Sequence, residues 1–236
     1  MKVFLVSGGA DGIGKACAMN LVERFEHPCI GLIDINEQKL LETAAEVKEL
    51  GAAEVHSFVL DVADFGKVDS VIGSFLNEKG GLDALIQSAG YIEPFSIEHT
   101  PLEEWQRTFD VNLHGLFNLT KLAIPFLENS RGKIINIAST SASSPRPGWT
   151  AYAASKAGVL NFSLSASEEL APKGIKVYCV SPGRCATELR KRQAPDEDPN
   201  SIMQPETVGG FVGGLVSPKG DPLDGQDLVI RRQINL

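Results

Sequence analysis

Apolar residues along the chain fall into two alternating patterns. Short, nearly continuous apolar runs such as "CIGLID" at Cys29–Asp34 are typical of buried β-strands, and the longer stretches between them show the apolar spacing of helices. The predicted strands are Val3–Val6, Cys29–Asp34, Val55–Leu60, Ala84–Ser88, Lys133–Ala138, Lys176–Val180 and Asp227–Ile230. The predicted helices are Ile13–Phe25, Glu37–Leu50, Gly66–Asn77, Leu102–Glu128, Ala151–Leu170 and Pro205–Leu215.

This alternation of strands and helices predicts the fold class. Strands that alternate with helices of such length form βαβ units and build a parallel sheet with helices on both faces. We therefore expect an α/β fold with a doubly wound parallel sheet of about seven strands. The length of 236 residues suits one large domain, placed here over residues 1–236. Gln193–Ser201 is rich in Pro, Asp and Asn and predicts a mobile loop.

Composition and charge argue against several classes of function. The formal net charge of −8 argues against a nucleic-acid partner, because phosphate backbones attract basic surfaces. The first apolar run ends before Ser7 and is too short for a signal-peptide core or a membrane span. The cysteines and histidines are scattered, which predicts no structural metal and a reducing compartment. We expect a cytoplasmic protein without membrane association.

A glycine-rich turn follows the first predicted strand. In "VSGGADGIGKA", Gly8, Gly12 and Gly14 permit a tight turn and a close approach of the backbone to a pyrophosphate. The helix that begins there presents N–H groups and a partial positive charge to an anion. Asp11 beside this site opposes a phosphate unless its side chain caps the turn. An ordinary loop between a strand and a helix remains the alternative for this motif taken alone.

Asp34 ends the second predicted strand, 20 residues after Gly14. A carboxylate at this place can accept hydrogen bonds from a ribose 2′-hydroxyl and repels a 2′-phosphate. The position predicts a dinucleotide site that prefers NAD(H) over NADP(H). The alternative is that Asp34 caps the next helix, which "DINEQKLLE" permits.

The stretch "TAYAASKAG" places Tyr152 and Lys156 four residues apart, on one face of a predicted helix. A nearby cation lowers the pKa of a phenol from its usual value of about 10, so the pair can serve as a general acid/base. Ser139 follows the predicted strand Lys133–Ala138, at the sheet edge where ligands bind, and could hold a substrate oxygen. The Tyr-x3-Lys spacing is common, and its combination with the glycine turn, Asp34 and Ser139 makes it specific.

Together these features resemble the short-chain dehydrogenase/reductase family over essentially the whole chain, and imply a Rossmann-type fold. "SGGADGIG" resembles the family's TGxxxGxG turn, and "LDV" resembles its adenine-contacting segment. "QSAG" stands where the family usually has NNAG, and "SPGRCATE" resembles the PGxxxT segment beside the nicotinamide. The resemblance and the residues above predict the following cofactor-binding set: Ser7, Gly8, Asp11, Gly12, Ile13, Gly14, Asp34, Asp61, Val62, Ala89, Gly90, Tyr152, Lys156, Pro182, Gly183 and Thr187.

The resemblance also implies a catalytic set of Asn112, Ser139, Tyr152 and Lys156. Ser139 would polarise the substrate oxygen and Tyr152 would pass a proton to or from it. Lys156 would lower the pKa of Tyr152 and bind the nicotinamide ribose, and Asn112 would position a water that joins Lys156 to solvent. Hydride would move between a substrate carbon and the nicotinamide.

The function expected is interconversion of a secondary alcohol and a carbonyl on a small molecule such as a sugar, polyol or sugar phosphate. A 3-oxoacyl thioester reductase of the same family is an alternative, opposed by Asp34 because that reduction commonly uses NADPH. A dinucleotide-binding protein without turnover is less compatible with the complete catalytic set. A short lid at residues 184–204 would cover the substrate, and Arg146, Arg184 and Arg190 could bind a substrate anion or lie in solvent.

Assembly is a further expectation from the resemblance. The predicted helices Leu102–Glu128 and Ala151–Leu170 would pack against a second subunit in a homodimer or homotetramer. The apolar residues in excess on these helices are Leu113, Leu116, Phe117, Leu160 and Phe162.

Overall fold

A computed structural model describes residues 1–231. These residues contain one parallel sheet with the strand order β3-β2-β1-β4-β5-β6-β7. The strands are β1 (Val3–Ser7), β2 (Cys29–Asp34), β3 (Glu54–Val59), β4 (Ala84–Gln87), β5 (Lys133–Ile137), β6 (Lys176–Pro182) and β7 (Asp227–Ile230). The seven strands and their parallel pairing confirm the predicted fold class. The last five residues of the predicted domain lie outside the described part of the chain.

Helices cover both faces of the sheet. They are α1 (Gly12–Arg24), α2 (Glu37–Glu49), α3 (residues 65–79), α4 (residues 102–130), α5 (Thr150–Leu170), α6 (Glu188–Gln193) and α7 (Pro205–Val216). One apolar core lies between the sheet and α1, α2 and α7, and a second lies between the opposite face and α3, α4 and α5. Within residues 1–231 no helix combines the length and apolar character needed to cross a bilayer.

Two predicted helices contain a wider turn that hydrophobic spacing does not reveal. In α3, a π turn at Val68–Ile72 joins Phe65–Lys67 to Gly73–Lys79. In α4, a π turn at Asp110–His114 joins Leu102–Phe109 to Gly115–Ser130. The expected continuous helix Leu102–Glu128 is therefore interrupted at Asn112. Single π turns of this kind are frequent at functional sites.

The sheet order positions the candidate site. From β1 the chain winds outward to β2 and β3, then returns to β4 on the other side of β1 and winds outward again to β7. The direction of winding reverses between β1 and β4, which opens a crevice beyond the carboxyl ends of these strands. The glycine turn after β1 and the loop after β4 border this crevice. A Cβ on Gly8 would lie 2.7 Å from the Ala89 nitrogen, so only glycine allows the two loops to approach this closely.

Candidate active site

A cavity of about 1540 Å³ lies along the carboxyl edge of the sheet. Fifteen of the predicted site residues line it: Gly8, Asp11, Gly12, Ile13, Asp34, Asp61, Val62, Ala89, Gly90, Ser139, Tyr152, Lys156, Pro182, Gly183 and Thr187. The other three predicted residues lie behind the cavity wall: Ser7, Gly14 and Asn112. All three are buried, with Ser7 1% and Asn112 2% exposed. Their contribution is to shape the cavity from behind.

The glycine turn forms a close cradle at the start of α1. Gly8 and Gly12 have φ angles of +68° and +53°, which favour glycine. A Cβ on Gly14 would collide with the Gly8 carbonyl. A Cβ on Gly12 would lie 3.0 Å from Cγ2 of Thr187. The segment after β6, which contains Thr187, therefore packs closely against the turn. This cradle at a helix N-terminus fits the pyrophosphate of a dinucleotide.

Asp11 caps α1 and does not act as a free charge in the cradle. Its Oδ1 accepts a hydrogen bond from the Gly12 N–H at 2.7 Å, and its Oδ2 pairs with the Lys39 ammonium at 2.6 Å. Burial opposes ionisation of Asp11, but the bonds from Lys39 and Gly12 outweigh it and lower the pKa. The pair with Lys39 offsets a negative charge at the place predicted for the phosphates.

The structure excludes one of the two interpretations of Asp34, that it caps the next helix. Its Oδ2 accepts the Ala10 N–H at 3.2 Å, and its Oδ1 accepts the Asn36 N–H at 3.0 Å. The cap of α2 is Asn36, whose side chain accepts the Lys39 N–H at 3.1 Å. Asp34 is therefore not the helix cap. Its carboxylate is held by two backbone amides at the cavity wall.

Ser139 and Tyr152 lie together at the cavity wall. The backbone N–H of Ser141 donates to the Ser139 hydroxyl oxygen at 3.1 Å, which fixes the start of the loop after β5. The side chains of Ser139 and Tyr152 lie next to each other. Burial raises the pKa of the Tyr152 phenol, and the neighbouring Ser139 hydroxyl lowers it only in part. The raised pKa is opposite to the direction expected from the sequence.

The surroundings of Lys156 explain why the pKa of Tyr152 does not decrease as expected. Its Nζ donates to the Ile137 carbonyl at 2.7 Å and lies 5.8 Å from the centroid of the Tyr152 ring. Lys156 is 4% exposed, and burial lowers its pKa to about 8. The amine is therefore adjacent to the phenol, but burial controls the pKa of both groups.

The π turn in α4 places Asn112 against the loop after β4. The Asn112 Oδ1 accepts the Tyr91 N–H at 2.7 Å, and its Nδ2 donates to the Tyr91 carbonyl at 2.9 Å and to the Ser155 hydroxyl at 2.9 Å. Both N–H groups of the amide are thus used by protein atoms. The Asn112 side chain therefore holds the Tyr91 backbone and the start of α5 together.

Two positions that depart from the family pattern have structural partners. Gln87 is buried, and its Nε2 donates to Thr120 at 2.8 Å and to Asn136 at 3.0 Å. Ser7 lies behind the cavity wall, where its hydroxyl accepts the Ala89 N–H at 3.4 Å. Both residues hold the β4 end of the crevice together.

The predicted lid contains α6 and an internal ion-pair cluster. Glu197 pairs with Arg190 at 2.7 and 3.0 Å and with Arg184 at 2.9 Å. These contacts lower the pKa of Glu197, the bond from Arg190 contributing most. Arg184 and Arg190 therefore share a single carboxylate, which leaves this cluster with a net positive charge. Arg146 and Arg192 also line the cavity and have no carboxylate partner within residues 1–231.

Several cavity residues were not predicted from the sequence. Trp149 packs edge-on against Tyr152 with ring centroids 6.3 Å apart, and the Arg190 guanidinium lies 5.6 Å from the centroid of the Trp149 ring. At the other end, Arg107 pairs with Asp61 at 2.6 Å. No recognisable signal in the sequence marks Trp149, three residues before Tyr152, or Arg107, five residues before Asn112, so these contacts require the fold.

Outside the cavity, Cys29, Glu54 and His56 offer ligand atoms within 4.8 Å of one another. The sequence alone gave no indication of this cluster, because β2 and β3 bring its members together. The Lys79 ammonium donates a hydrogen bond to Glu54 there, so a positively charged side chain already contacts this cluster. His99 and His114 are exposed and do not line the cavity.

Comparison with known proteins identifies the family. The family model described as short chain dehydrogenase matches residues 2–198. The chain belongs to the short-chain dehydrogenase family. A member of this family is an oxidoreductase that acts on CH–OH groups or carbonyls with a nicotinamide dinucleotide.

Individual relatives of this short-chain dehydrogenase have different names. It is 33% identical over 231 residues to the 2,3-dihydro-2,3-dihydroxybenzoate dehydrogenase of Bacillus subtilis, covering 97% of this chain and 87% of the relative. It is 32% identical over 211 residues to the 3-oxoacyl-(acyl-carrier-protein) reductase of Thermotoga maritima, covering 89% and 84%. The structure of NAD+-bound xylitol dehydrogenase superimposes with a TM-score of 0.88 at 27% identity, covering 98% of this chain and 97% of that one.

Proposed function

We propose that this short-chain dehydrogenase interconverts a secondary alcohol and a carbonyl with NAD(H), on a small polar molecule such as a sugar, polyol or sugar phosphate. The observation that carries the proposal is one continuous cavity wall that contains Asp34 at one end and Ser139, Tyr152 and Lys156 at the other. A dinucleotide that spans this wall would present its reactive end to the hydroxyl pair.

The chain's own residues would hold the substrate oxygen and move its proton. Bound NAD(H) would supply hydride transfer. The Ser139 and Tyr152 side chains lie next to each other, so both hydroxyls would contact one substrate oxygen. Tyr152 would give a proton to that oxygen during reduction and take it during oxidation.

Lys156 would support both the cofactor and the phenol. One of its N–H groups donates to the Ile137 carbonyl, which leaves two for the nicotinamide ribose and for a phenolate at Tyr152. Gly90 leaves room beside this group, because a Cβ there would lie 3.9 Å from Nζ of Lys156. Asn112 would keep the Tyr91 backbone beside this ribose position.

The Tyr152 hydroxyl provides the test of this mechanism. Tyr152→Phe should reduce turnover of an established alcohol or carbonyl by about 10² to 10⁴-fold, since that is the usual contribution of general acid/base catalysis. NADH affinity, measured by fluorescence titration, should be unchanged. Tyr178→Phe is the matched control, because Tyr178 is buried away from the cavity and its hydroxyl has no hydrogen-bond partner within residues 1–231. Retention of most activity by Tyr152→Phe would refute the mechanism.

The preference for NAD(H) is part of the same proposal. The Ala10 and Asn36 amides hold the Asp34 carboxylate where a 2′-phosphate would meet its negative charge. Titration with NADH and NADPH should show tighter binding of NADH, and Asp34→Ala should narrow the difference. If the unmodified protein binds NADPH more tightly than NADH, the proposed preference for NAD(H) is wrong.

Reduction of a 3-oxoacyl thioester is the second candidate, favoured by the name of the Thermotoga relative. A panel that includes polyols, sugar phosphates and 3-oxoacyl thioesters distinguishes the two. Preferential turnover of a thioester with NADPH would replace the first candidate with the second.

A further inference from the structure

The part of the cavity beyond β3 contains an ion pair between Asp61, a predicted cofactor-binding residue, and Arg107, which has no predicted role. Arg107, in the first part of α4, donates from Nη1 to Oδ2 of Asp61 at 2.6 Å. The Arg107 and Asp61 side chains are 36% and 32% exposed, and both line the cavity. Asp61 stands beyond β3, and the Leu60 N–H bonds to the Asp34 carbonyl, so the pair lies beside the Asp34 position.

Sheet geometry assigns this end to the adenosine half of the dinucleotide. The glycine cradle, where the pyrophosphate fits, lies beyond β1 at the centre of the sheet. Ser139 and Tyr152 lie on the side of β5. The non-reacting half of the cofactor must then extend toward β2 and β3, where Asp34 and Asp61 are found.

Both partners of the ion pair are held by further contacts. The other oxygen of Asp61, Oδ1, accepts the Ala63 N–H at 3.0 Å. The Arg107 guanidinium lies 5.9 Å from the centroid of the Tyr91 ring. The Tyr91 hydroxyl donates to Glu104 at 2.6 Å, one helical turn before Arg107. The carboxylate and the guanidinium therefore have little freedom to rotate.

The charges that line the cavity indicate a function for the Arg107–Asp61 pair. Asp11, Asp34 and Asp61 line the cavity, and a dinucleotide adds the negative charges of its pyrophosphate. Lys39 offsets Asp11, and two backbone amides hold Asp34. Arg107 offsets Asp61. Without it, a carboxylate with one unpaired oxygen would face an anionic ligand.

We propose that Arg107 is a positioning residue for the adenosine half of the cofactor: it fixes the Asp61 carboxylate as a hydrogen-bond acceptor and offsets its charge. The proposal rests on the dinucleotide binding proposed above. Arg107 acts through Asp61 and takes no part in the proton transfer at Tyr152.

Binding measurements with two ligands test this role. NADH contains both halves of the cofactor, and ADP-ribose lacks the nicotinamide. Arg107→Gln should raise the dissociation constants of NADH and ADP-ribose by the same factor of about ten, the scale of one hydrogen bond to a charged group. Arg107→Lys should restore part of the affinity, because it keeps the charge and one donor. Calorimetric titration measures both ligands without turnover.

Lys173→Gln is the matched control. Lys173 pairs with Glu128 at the same distance of 2.6 Å, with side chains 42% and 45% exposed, and neither residue lines the cavity. This variant should bind both ligands as the unmodified protein does. Thermal melting should show similar small changes for Lys173→Gln and Arg107→Gln, since exposed ion pairs contribute little stability.

Four outcomes separate the interpretations. Unchanged affinity of Arg107→Gln for both ligands overturns the proposal. Weaker binding of NADH with unchanged ADP-ribose also overturns it, because the effect would then pass through Tyr91 and Asn112 to the nicotinamide. In an Asp61→Asn variant, adding Arg107→Gln should weaken the binding of NADH and ADP-ribose only slightly further. If it weakens binding as much as it does in the unmodified protein, Arg107 does not act through Asp61. Failure of the unmodified protein to bind NADH refutes the proposed function instead.

Discussion

At the residue scale, burial determines the protonation of the two groups at the centre of the proposed chemistry. It lowers the pKa of Lys156 to about 8 and raises that of Tyr152, so both shifts favour a neutral side chain. The neighbouring positions in "TAYAASKAG" indicate that an ammonium and a phenol lie close together. They do not indicate how much water either group retains, and that decides the direction of the shifts.

The lowered pKa of Lys156 predicts a pH dependence of stability. Between about pH 8 and pH 10 the unfolded chain retains a proton on Lys156 that the folded protein has released, so the cost of burying this ammonium decreases as pH rises. The free energy of unfolding of the unmodified protein should therefore rise relative to that of Lys156→Met across this range. Urea denaturation at several pH values measures the difference. A difference independent of pH would show that the pKa is not lowered.

At the element scale, glycines let α7 pack closely against α1. Gly209 is buried, and a Cβ there would lie 2.5 Å from the Ala16 carbonyl oxygen of α1. Gly210, the next residue of α7, has no atom within 4 Å of the position of a Cβ. The apolar pattern of Pro205–Leu215 predicts a helix there, but it does not show which glycine faces the neighbouring helix.

This contrast predicts opposite effects of one substitution at adjacent positions. Gly209→Ala should destabilise the protein by about 1–3 kcal/mol, because the methyl group forces the two helices apart. Gly210→Ala should be neutral or stabilising by about 0.5–1 kcal/mol, since alanine favours the helix. Urea denaturation midpoints compare the two variants. Equal midpoints would mean that α1 and α7 do not pack as closely as described.

At the scale of the whole molecule, the structure changes which residues are candidates for a subunit interface. Leu116 is buried in the protein's own core beside Val159, and Leu113, Leu160 and Phe162 pack partly against that cluster. Phe117 remains 48% exposed on α4, and Leu102 and Trp105 on the same helix are 84% and 38% exposed. Of the two helices predicted to form the interface, α4 is therefore the one with large apolar residues that remain exposed.

A homodimer or homotetramer formed through α4 is the expected assembly. Light scattering at micromolar concentration should show an oligomer, and Phe117→Glu should shift it toward the monomer because a charge would be buried at the interface. Leu41→Glu, at a residue 54% exposed on α2, is the control and should not change the mass. A monomeric unmodified protein would exclude this assembly.

The local order of residues was sufficient to predict the architecture and a set of residues on the cavity wall. The bounds of β2 and β7 agree with the prediction at both ends, because apolar runs and their polar flanks are local features. The glycine turn, Asp34 and the Tyr152–Lys156 pair were also found from spacing within single elements. Each is a property of consecutive residues, so no knowledge of long-range contacts was needed.

Tertiary structure decided the partners and the charge state of these groups. The Arg107–Asp61 pair joins residues 46 positions apart, and the Asn112–Tyr91 bonds join residues 21 apart. Glu197 pairs with both Arg184 and Arg190, which were candidate anion ligands in the sequence. Hydrophobic periodicity specifies which face of an element is buried, whereas hydrogen bonds and ion pairs depend on side-chain positions across elements. Only the packed fold brings those side chains within 3 Å of one another.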